Sequence, residues 1–510
     1  MDKKHGIDWI AMIVPLLGVV CLGVLFIAMP ERSTHVLTSI RGFFGDELGI
    51  YYILMGLFAF GASLYIAFSK YGQIKLGGDN EKPEYSPFTW GSMVFTATMA
   101  ADILYFSLHE WALYAGEPRV AGLGDMQVWA STFPLFHWGP IAWSFYVVLA
   151  ASFGFMLHVR NRKKQKFSEA CRPLLGAKVD GPLGKAIDIV AILALIAGTA
   201  TTFSLATPLL SAAFAHVAGM NVTLVLTIGI LIIIAVVYTI AVLGGMMGIS
   251  KLAKISVYIF FAMILYFLFL GGETRYILET GVSAIGNLAQ NFVGLTTWTD
   301  PLRADSFPQN WTIFYWAYWM AWCVATPFFI GMVSKGRTLK NTILGAYFWG
   351  LAGTFTSFII LGNYGLAQQM LHGLDSAGAI YSGVSSPEVI IAIFETLPLP
   401  AVALILLVIN MIIFYSSTFD ALTMVVSRYS YKELTTDDIP NKKVRTYWAV
   451  LFILFPIALL FSESTLFSLQ SVAIIAAFPI GIIIVMIVFS FFKDANAYLK
   501  EKDSHDKKKA

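Results

Sequence analysis

Apolar runs of about 18 residues or more recur along nearly the whole chain, separated by short polar breaks, as a hydrocarbon core roughly 30 Å thick demands of spanning helices. The runs fall near residues 9 to 28, 50 to 68, 90 to 114, 135 to 157, 187 to 211, 222 to 243, 252 to 271, 311 to 333, 342 to 364, 400 to 426, 446 to 461 and 469 to 492. They predict about twelve transmembrane helices. Strands of a barrel never show such runs, so the expected fold is an all-α membrane protein. The first run, Trp9 to Ala28, is long for a signal-peptide core and has no clear small-residue cleavage site after it, so it counts as a span.

The polar breaks set the orientation. Arg160, Arg162, Lys163, Lys164 and Lys166 follow the fourth run, Lys335 and Arg337 the eighth, Lys442, Lys443 and Arg445 the tenth, and Lys493 opens the last polar segment. All fall on one side, which the positive-inside rule makes the cytoplasm, and an even number of spans returns both termini to it. The expected location is a cell (inner) membrane. Between the seventh and eighth runs, Glu273 to Gln309 is too polar to cross, yet Tyr276, Ile277, Leu278, Val282, Ile285, Leu288 and Phe292 recur at near-helical spacing. A helix along the outer interface is expected there, with an ordinary extracellular loop as the alternative. Lys493 to Ala510 reads as a charged tail that trails into the cytoplasm or leans on anionic lipid.

Composition excludes a soluble globule: of 510 residues 57% are hydrophobic and 13% charged, with mean hydropathy +0.72. The formal charge of +3 says little about partners, because placement of Lys and Arg matters more than their sum. Cys21, Cys171 and Cys323 lie far apart without metal or redox spacing and read as packing residues. No HExxH, GxSxG or paired histidines at ligand spacing occur, so an enzyme is not expected.

Candidate chemistry lies in two aromatic runs. Asn310-Trp311-Thr312-Ile313-Phe314-Tyr315-Trp316-Ala317-Tyr318-Trp319-Met320-Ala321-Trp322 carries four tryptophans and two tyrosines and turns every face of one helix aromatic. Lipid contact does not require this, since aromatic belts sit only at the ends of spans. A trimethylammonium group cannot donate hydrogen bonds, so a protein recognises it with ring faces, each contributing on the order of 0.5 to 2 kcal/mol. Phe136-His137-Trp138-Gly139-Pro140-Ile141-Ala142-Trp143-Ser144-Phe145-Tyr146 offers further rings, with Trp143 and Tyr146 on one face and Trp138 a little around it. Each ring alone reads as packing or an interface anchor; together they suggest a box.

The run Trp311 to Trp322 resembles the signature of the betaine/carnitine/choline transporter family, and Phe136 to Pro140 with Trp143 and Tyr146 resembles its fourth helix. The similarity continues in Gly198-Thr199, Leu205-Ala206-Thr207-Pro208, Thr299-Asp300-Pro301, Ser334-Lys335-Gly336-Arg337-Thr338 and Phe491-Phe492-Lys493-Asp494-Ala495, and so covers essentially the whole chain. The resemblance implies two inverted five-helix repeats of the LeuT-like architecture, preceded by two extra helices, and a homotrimer. The implied division is two helices and a cytoplasmic loop in 1–88, a first repeat in 89–272, an extracellular connector in 273–310, a second repeat in 311–492 and the tail in 493–510. It also implies transport by alternating access. The box would comprise Trp138, Trp143, Tyr146 and Trp319, with Trp322 on the cytoplasmic exit path and Tyr318 where relatives usually have Trp. Expected partners are the quaternary ammonium substrate and the bilayer, with no nucleic acid. A membrane-embedded betaine sensor is the rival from another class.

The first helix of the repeat departs from the family's glycine-rich or small-residue stretch. Here it reads Thr96-Ala97-Thr98-Met99-Ala100-Ala101-Asp102, then Tyr105, His109, Glu110 and Trp111. Small residues let the backbone unwind and expose carbonyls. Asp102 is an acid near the middle of a span, which costs at least about 2.5 to 3.5 kcal/mol and marks a functional candidate. It is expected to act as counter-ion or proton carrier for a choline-like cation, the alternative being a carboxyl bonded to a neighbouring helix. Tyr105, one turn on, joins the candidate substrate contacts. No cofactor is expected beyond a coupling ion, Na+ or H+. The family's sodium position would fall on the carbonyls of Thr96 and Met99 with Phe414, Ser417 and Thr418, while Thr201 and Thr202 are weaker candidates for a second site; bonding back to a helix carbonyl is the alternative for these hydroxyls. Ser256 aligns where sodium-independent exchangers carry arginine, with Lys251 and Lys254 nearby, which favours an ion-driven importer over an exchanger. Glycine betaine and carnitine remain alternative substrates. Glu110 and Asp420 resemble acids found throughout the family and read as structural or gating. Asp188 reads as the start of the fifth run, and His109 as a hydrogen-bonded histidine or a proton shuttle.

Overall fold

In the computed structural model, residues 6–99, 102–242, 245–434, 438–461 and 466–509 are described, and among them no β-strand occurs. Each apolar run has become a helix, because in lipid every backbone polar group must be satisfied within its own segment. The helices are α1 (Trp9–Ala28), α2 (Pro30–Arg41), α3 (Gly49–Phe68), α4 (Pro87–Thr98), α5 (Asp102–Ala115), α6 (Met126–His137), α7 (Pro140–His158), α8 (Pro182–Ala218), α9 (Leu224–Val242) and α10 (Gly245–Leu265). They continue with α11 (Thr274–Thr297), α12 (Ile313–Trp322), α13 (Thr326–Met332), α14 (Leu339–Ser357), α15 (Asn363–His372), α16 (Ser376–Tyr381), α17 (Ser386–Glu395), α18 (Pro400–Tyr429), α19 (Lys442–Phe461) and α20 (Leu466–Lys509). Among the described residues eight helical segments are long and apolar enough to cross a bilayer, or ten when each of two bent pairs counts as one span. The two remaining expected positions, near 222 to 243 and 446 to 461, are occupied by α9 and α19.

Two expected spans are broken. α4 and α5 meet at 67°, and the helical run Pro308–Trp322 meets α13 at 49°. In the first pair α4 ends at Thr98 and α5 begins at Asp102; Ala100 and Ala101 between them lie outside the described residues. In the second, Pro327 follows directly on Thr326 and fits the first turn of a new helix rather than the interior of an old one. The breaks touch each other: Thr326 Oγ1 donates to the carbonyl of Ala97, 3.3 Å away. The pairs run in opposite senses. α4 starts beside Ser334, to which Trp90 Nε1 donates at 3.1 Å, whereas α13 ends there. α5 ends, and the helix leading into α12 begins, at the other end of the bundle, where Trp311 Nε1 donates to Glu117 at 2.7 Å.

The basic loops and both chain ends gather at one end. Lys166 pairs with Asp8 at 2.6 Å, and the backbone N–H of Asp8 donates to Ser430. The last helix corrects the expectation of a trailing tail: α20 runs unbroken to Lys509. Its end is held by Arg160, paired with Asp494 at 2.9 Å and Glu501 at 2.8 Å, by Arg162 on Asp494 at 2.6 Å, and by Lys502 on Asp79 at 2.8 Å. The expected connector helix is present as α11, whose apolar stripe includes the buried Ile277 and Leu288 and whose Asn287 donates to Thr132 of α6. On the outside of the bundle, Leu17, Val24, Leu54, Phe68, Val225 and Ile240 present exposed apolar side chains, as a lipid-facing surface requires.

Candidate functional site

Between the two breaks lies a small cavity lined by Thr98, Met99, Asp102, Trp138, Tyr146, Tyr318, Trp319 and Trp322. The fold delivers these groups from four places, the first being the α4–α5 break with Thr98, Met99 and Asp102. Trp138 caps α6 immediately before the Gly139-Pro140 corner, where Thr354 Oγ1 donates to its carbonyl at 3.1 Å. Trp143 and Tyr146 follow on the first turns of α7, and Tyr318, Trp319 and Trp322 lie on α12.

Trp319 is the centre of the aromatic cluster. Its ring centroid lies 4.7 Å from Tyr146, 5.4 Å from Trp143 and 5.8 Å from Trp138. The T-shaped and tilted packing sets ring faces against edges, the preferred aromatic arrangement. Trp143 stands behind the cavity, wedged against Gly350 of α14, where a Cβ would come within 2.5 Å of the indole. Trp322 packs edge-on to Tyr318 and Phe419, at 6.5 and 6.2 Å, and covers Gly198 of α8. Tyr105 does not line the cavity. Its ring packs on Phe106 and His109, at 5.2 and 4.4 Å, one turn farther along α5.

Asp102 begins α5, and its carboxylate is held on both oxygens. Oδ1 accepts from the Ile103 N–H at 3.1 Å, and Oδ2 accepts from the Tyr318 hydroxyl at 2.6 Å. The acid therefore both lines the cavity and bonds to a neighbouring helix. The Tyr318 hydroxyl also meets Thr202 Oγ1, whose other neighbour is the Gly198 carbonyl at 3.3 Å. Thr201 lies on the same helix and donates to the Ala197 carbonyl at 3.0 Å.

On the other side of the α4–α5 break, Thr418 of α18 reaches Thr96 and Met99: its hydroxyl lies 2.7 Å from the first carbonyl and 3.2 Å from the second. Ser417 donates to the Phe414 carbonyl at 3.1 Å, and Ser256 of α10 approaches Ser417 at 3.4 Å. The structure thus brings Thr96, Met99 and Thr418 together, with Ser417 and Phe414 one turn around α18. This neutral set of carbonyl and hydroxyl oxygens suits a small hard cation. The side chain beside Ser417 is Ser256, while Lys251 is exposed and Lys254 half-buried. Among the described residues no group of three or more His, Cys, Asp or Glu is arranged to hold a metal.

One contributor to the box was not legible as such. Glu110 of α5 accepts from Trp138 Nε1 at 2.8 Å and from the Tyr114 hydroxyl at 2.6 Å; the Tyr114 oxygen lies 2.6 Å from His137 Nδ1, and His137 Nε2 lies 3.0 Å from Thr312. This buried network fixes the edge of a box indole from behind. The sequence reads Glu110 as structural or gating without naming the indole it holds, because Tyr114 lies on its own helix but Trp138 lies beyond α6. The remaining acids are distant from the cavity in role: Asp420 is bonded by Arg445 at 2.5 Å, and Asp188 accepts from the Ser168 backbone N–H and hydroxyl at 2.9 and 3.0 Å. His109 Nδ1 lies 2.7 Å from the Tyr105 carbonyl, the local bonding expected of such a histidine.

Residues 10–500 match the family described as BCCT, betaine/carnitine/choline family transporter. The chain is 30% identical over 508 residues to a protein of Desulfitobacterium hafniense named "Probable glycine betaine transporter", covering 97% of this chain and 98% of that one. It is 28% identical to "Glycine betaine transporter OpuD" of Bacillus subtilis, covering 92% and 91%. It is also 28% identical to "Osmo-independent choline transporter BetT1" of Acinetobacter baylyi, covering 92% and 90%.

Proposed function

The chain belongs to the betaine/carnitine/choline family of transporters, and from that premise we propose that it imports a choline-like quaternary ammonium cation by ion-driven alternating access. The observation that carries the choice of substrate is Asp102, a carboxylate on the wall of the aromatic cavity. The rings recognise the methylated ammonium head that choline, glycine betaine and carnitine share, so they do not rank the three. Asp102 does. In transporters with broken helices the N-terminus of a half-helix receives the anionic group of the substrate. Here the first residue of α5 supplies its own carboxylate at that place, bonded by Ile103 N–H and Tyr318. A zwitterion brings a second carboxylate against the first, whereas a cation brings the complementary charge.

Coupling to a sodium gradient is supported by the oxygens of Thr96, Met99 and Thr418, which meet across the break that borders the cavity. An ion seated there draws α18 and the α4–α5 break together next to the substrate, so ion and substrate favour the same arrangement of helices. The chain then sits in a cell membrane with the basic loops and both termini in the cytoplasm. Two such breaks of opposite sense support alternating access through paired inverted repeats.

The binding step is tested by titrating the purified protein with choline, tetramethylammonium and glycine betaine while following tryptophan fluorescence. The account expects saturable quenching by choline and tetramethylammonium at concentrations about tenfold below those needed for betaine. Tighter binding of betaine than of either cation would overturn the substrate choice.

A further inference from the structure

We infer that Tyr318 is a specificity-determining positioning residue: held by Thr202, its hydroxyl fixes the Asp102 carboxylate as a seat for a cation. The inference rests on the cation reading above and assigns the ranking of substrates to a chain of three side chains on three helices. Asp102 begins α5, Tyr318 lies on α12 and Thr202 on α8. Tyr318 O–H donates to Asp102 Oδ2 at 2.6 Å, so the Thr202 hydroxyl is left to donate to the phenol oxygen. The one Thr202 proton is shared between the phenol and the Gly198 carbonyl of its own helix, 3.3 Å away.

The chemistry of the three groups sets what each can do. A carboxylate beside indoles, which offer it few donors, keeps one orientation where other donors hold its oxygens. The Ile103 N–H serves one oxygen and the phenol the other, which turns the carboxylate in one direction. A tryptophan at position 318 would keep a ring on the wall, yet its bulkier indole N–H could not occupy the place of a phenol hydroxyl between Asp102 and Thr202. Asp102 and Tyr318 therefore act as one unit, and the Thr202 hydroxyl supports that unit instead of a second sodium position.

The test compares choline and glycine betaine uptake in proteoliposomes for wild type, Tyr318→Phe, Thr202→Val, Asp102→Asn and the double variant Asp102→Asn/Tyr318→Phe. Tyr318→Phe keeps the ring and removes the bond, so the choline-to-betaine ratio of kcat/KM should fall about tenfold, the worth of one hydrogen bond to a charged group. Thr202→Val, which leaves the phenol in place, should shift the ratio the same way by a smaller factor. In the Asp102→Asn background the Tyr318 change should leave the ratio where Asp102→Asn alone puts it. Equal loss for both substrates in Tyr318→Phe and Thr202→Val, or independent multiplication of the Asp102 and Tyr318 effects on the ratio, would overturn the inference while leaving a choline transporter standing. Wild type that takes up betaine and no choline would overturn the cation reading itself.

Discussion

The aromatic residues divide into those that face the cavity and those that hold them, and the two kinds respond differently to substitution. A Cβ added at Gly350 would lie 2.5 Å from the Trp143 indole, which is fully buried and has no room to retreat. Gly350→Ala should therefore displace the indole toward Trp319 and raise the half-saturation concentrations of choline and betaine together, by roughly three- to tenfold, without changing their ratio. Uptake kinetics for the two substrates check this, and a changed ratio would place Trp143 in discrimination instead of support. Glu110→Gln keeps the size of the side chain but replaces one acceptor by a donor opposite Trp138 Nε1 or the Tyr114 hydroxyl. It too should weaken both substrates, by about tenfold, because a buried donor is left without an acceptor. The two aromatic runs were legible from composition and spacing, since a non-donating cation calls for rings, while the choice of Trp138, Trp143, Tyr146 and Trp319 within them came from the family resemblance. The roles of Glu110, Thr202 and Gly350 were not legible, because each depends on a neighbour on another helix, and no periodicity within one span reports such a neighbour.

At the scale of elements, the spans were legible because a bilayer permits few alternatives to long apolar helices. The break after Thr98 was half legible, in the stretch of small residues ending at Asp102. The one at Cys323 to Ala325 left only Pro327 as its sign, in a run whose aromatic content dominates any reading. These breaks matter because they free carbonyls. Thr418 reaches two of them across the α4–α5 break, so Thr418→Ala should raise the sodium concentration for half-maximal choline uptake about tenfold, with a smaller effect on choline affinity at saturating sodium. Uptake measured over a sodium series provides the check; an unchanged sodium requirement would remove α18 from the ion path. Lys493 to Lys509 is helical where a trailing tail was expected, because the partners that hold it are remote in sequence. Its charges read as a solvated tail, yet Asp494 and Glu501 find Arg160 and Arg162 more than 300 residues away, and the helix continues with them.

For the whole molecule, Asp8, the loop carrying Arg160 to Lys166 and the stretch of α20 from Asp494 to Lys502 form an ionic layer at one end of the bundle, and the cavity lies between two oppositely directed helix breaks. Asp494→Asn removes the partner shared by Arg160 and Arg162. Amide exchange over residues 494–509 should accelerate severalfold, while exchange around the cavity stays as it was; acceleration at the cavity would mean that the ionic layer and the transport site are one cooperative unit. The central claim is that an aromatic cavity with its own carboxylate binds a cation whose import an ion gradient drives. The most direct test is uptake of radiolabelled choline and glycine betaine by proteoliposomes holding wild type or Asp102→Asn, under a sodium gradient, a proton gradient or neither. The account predicts choline uptake that requires the sodium gradient and falls at least tenfold in Asp102→Asn, with betaine less affected; gradient-independent betaine exchange indifferent to Asp102→Asn would contradict it.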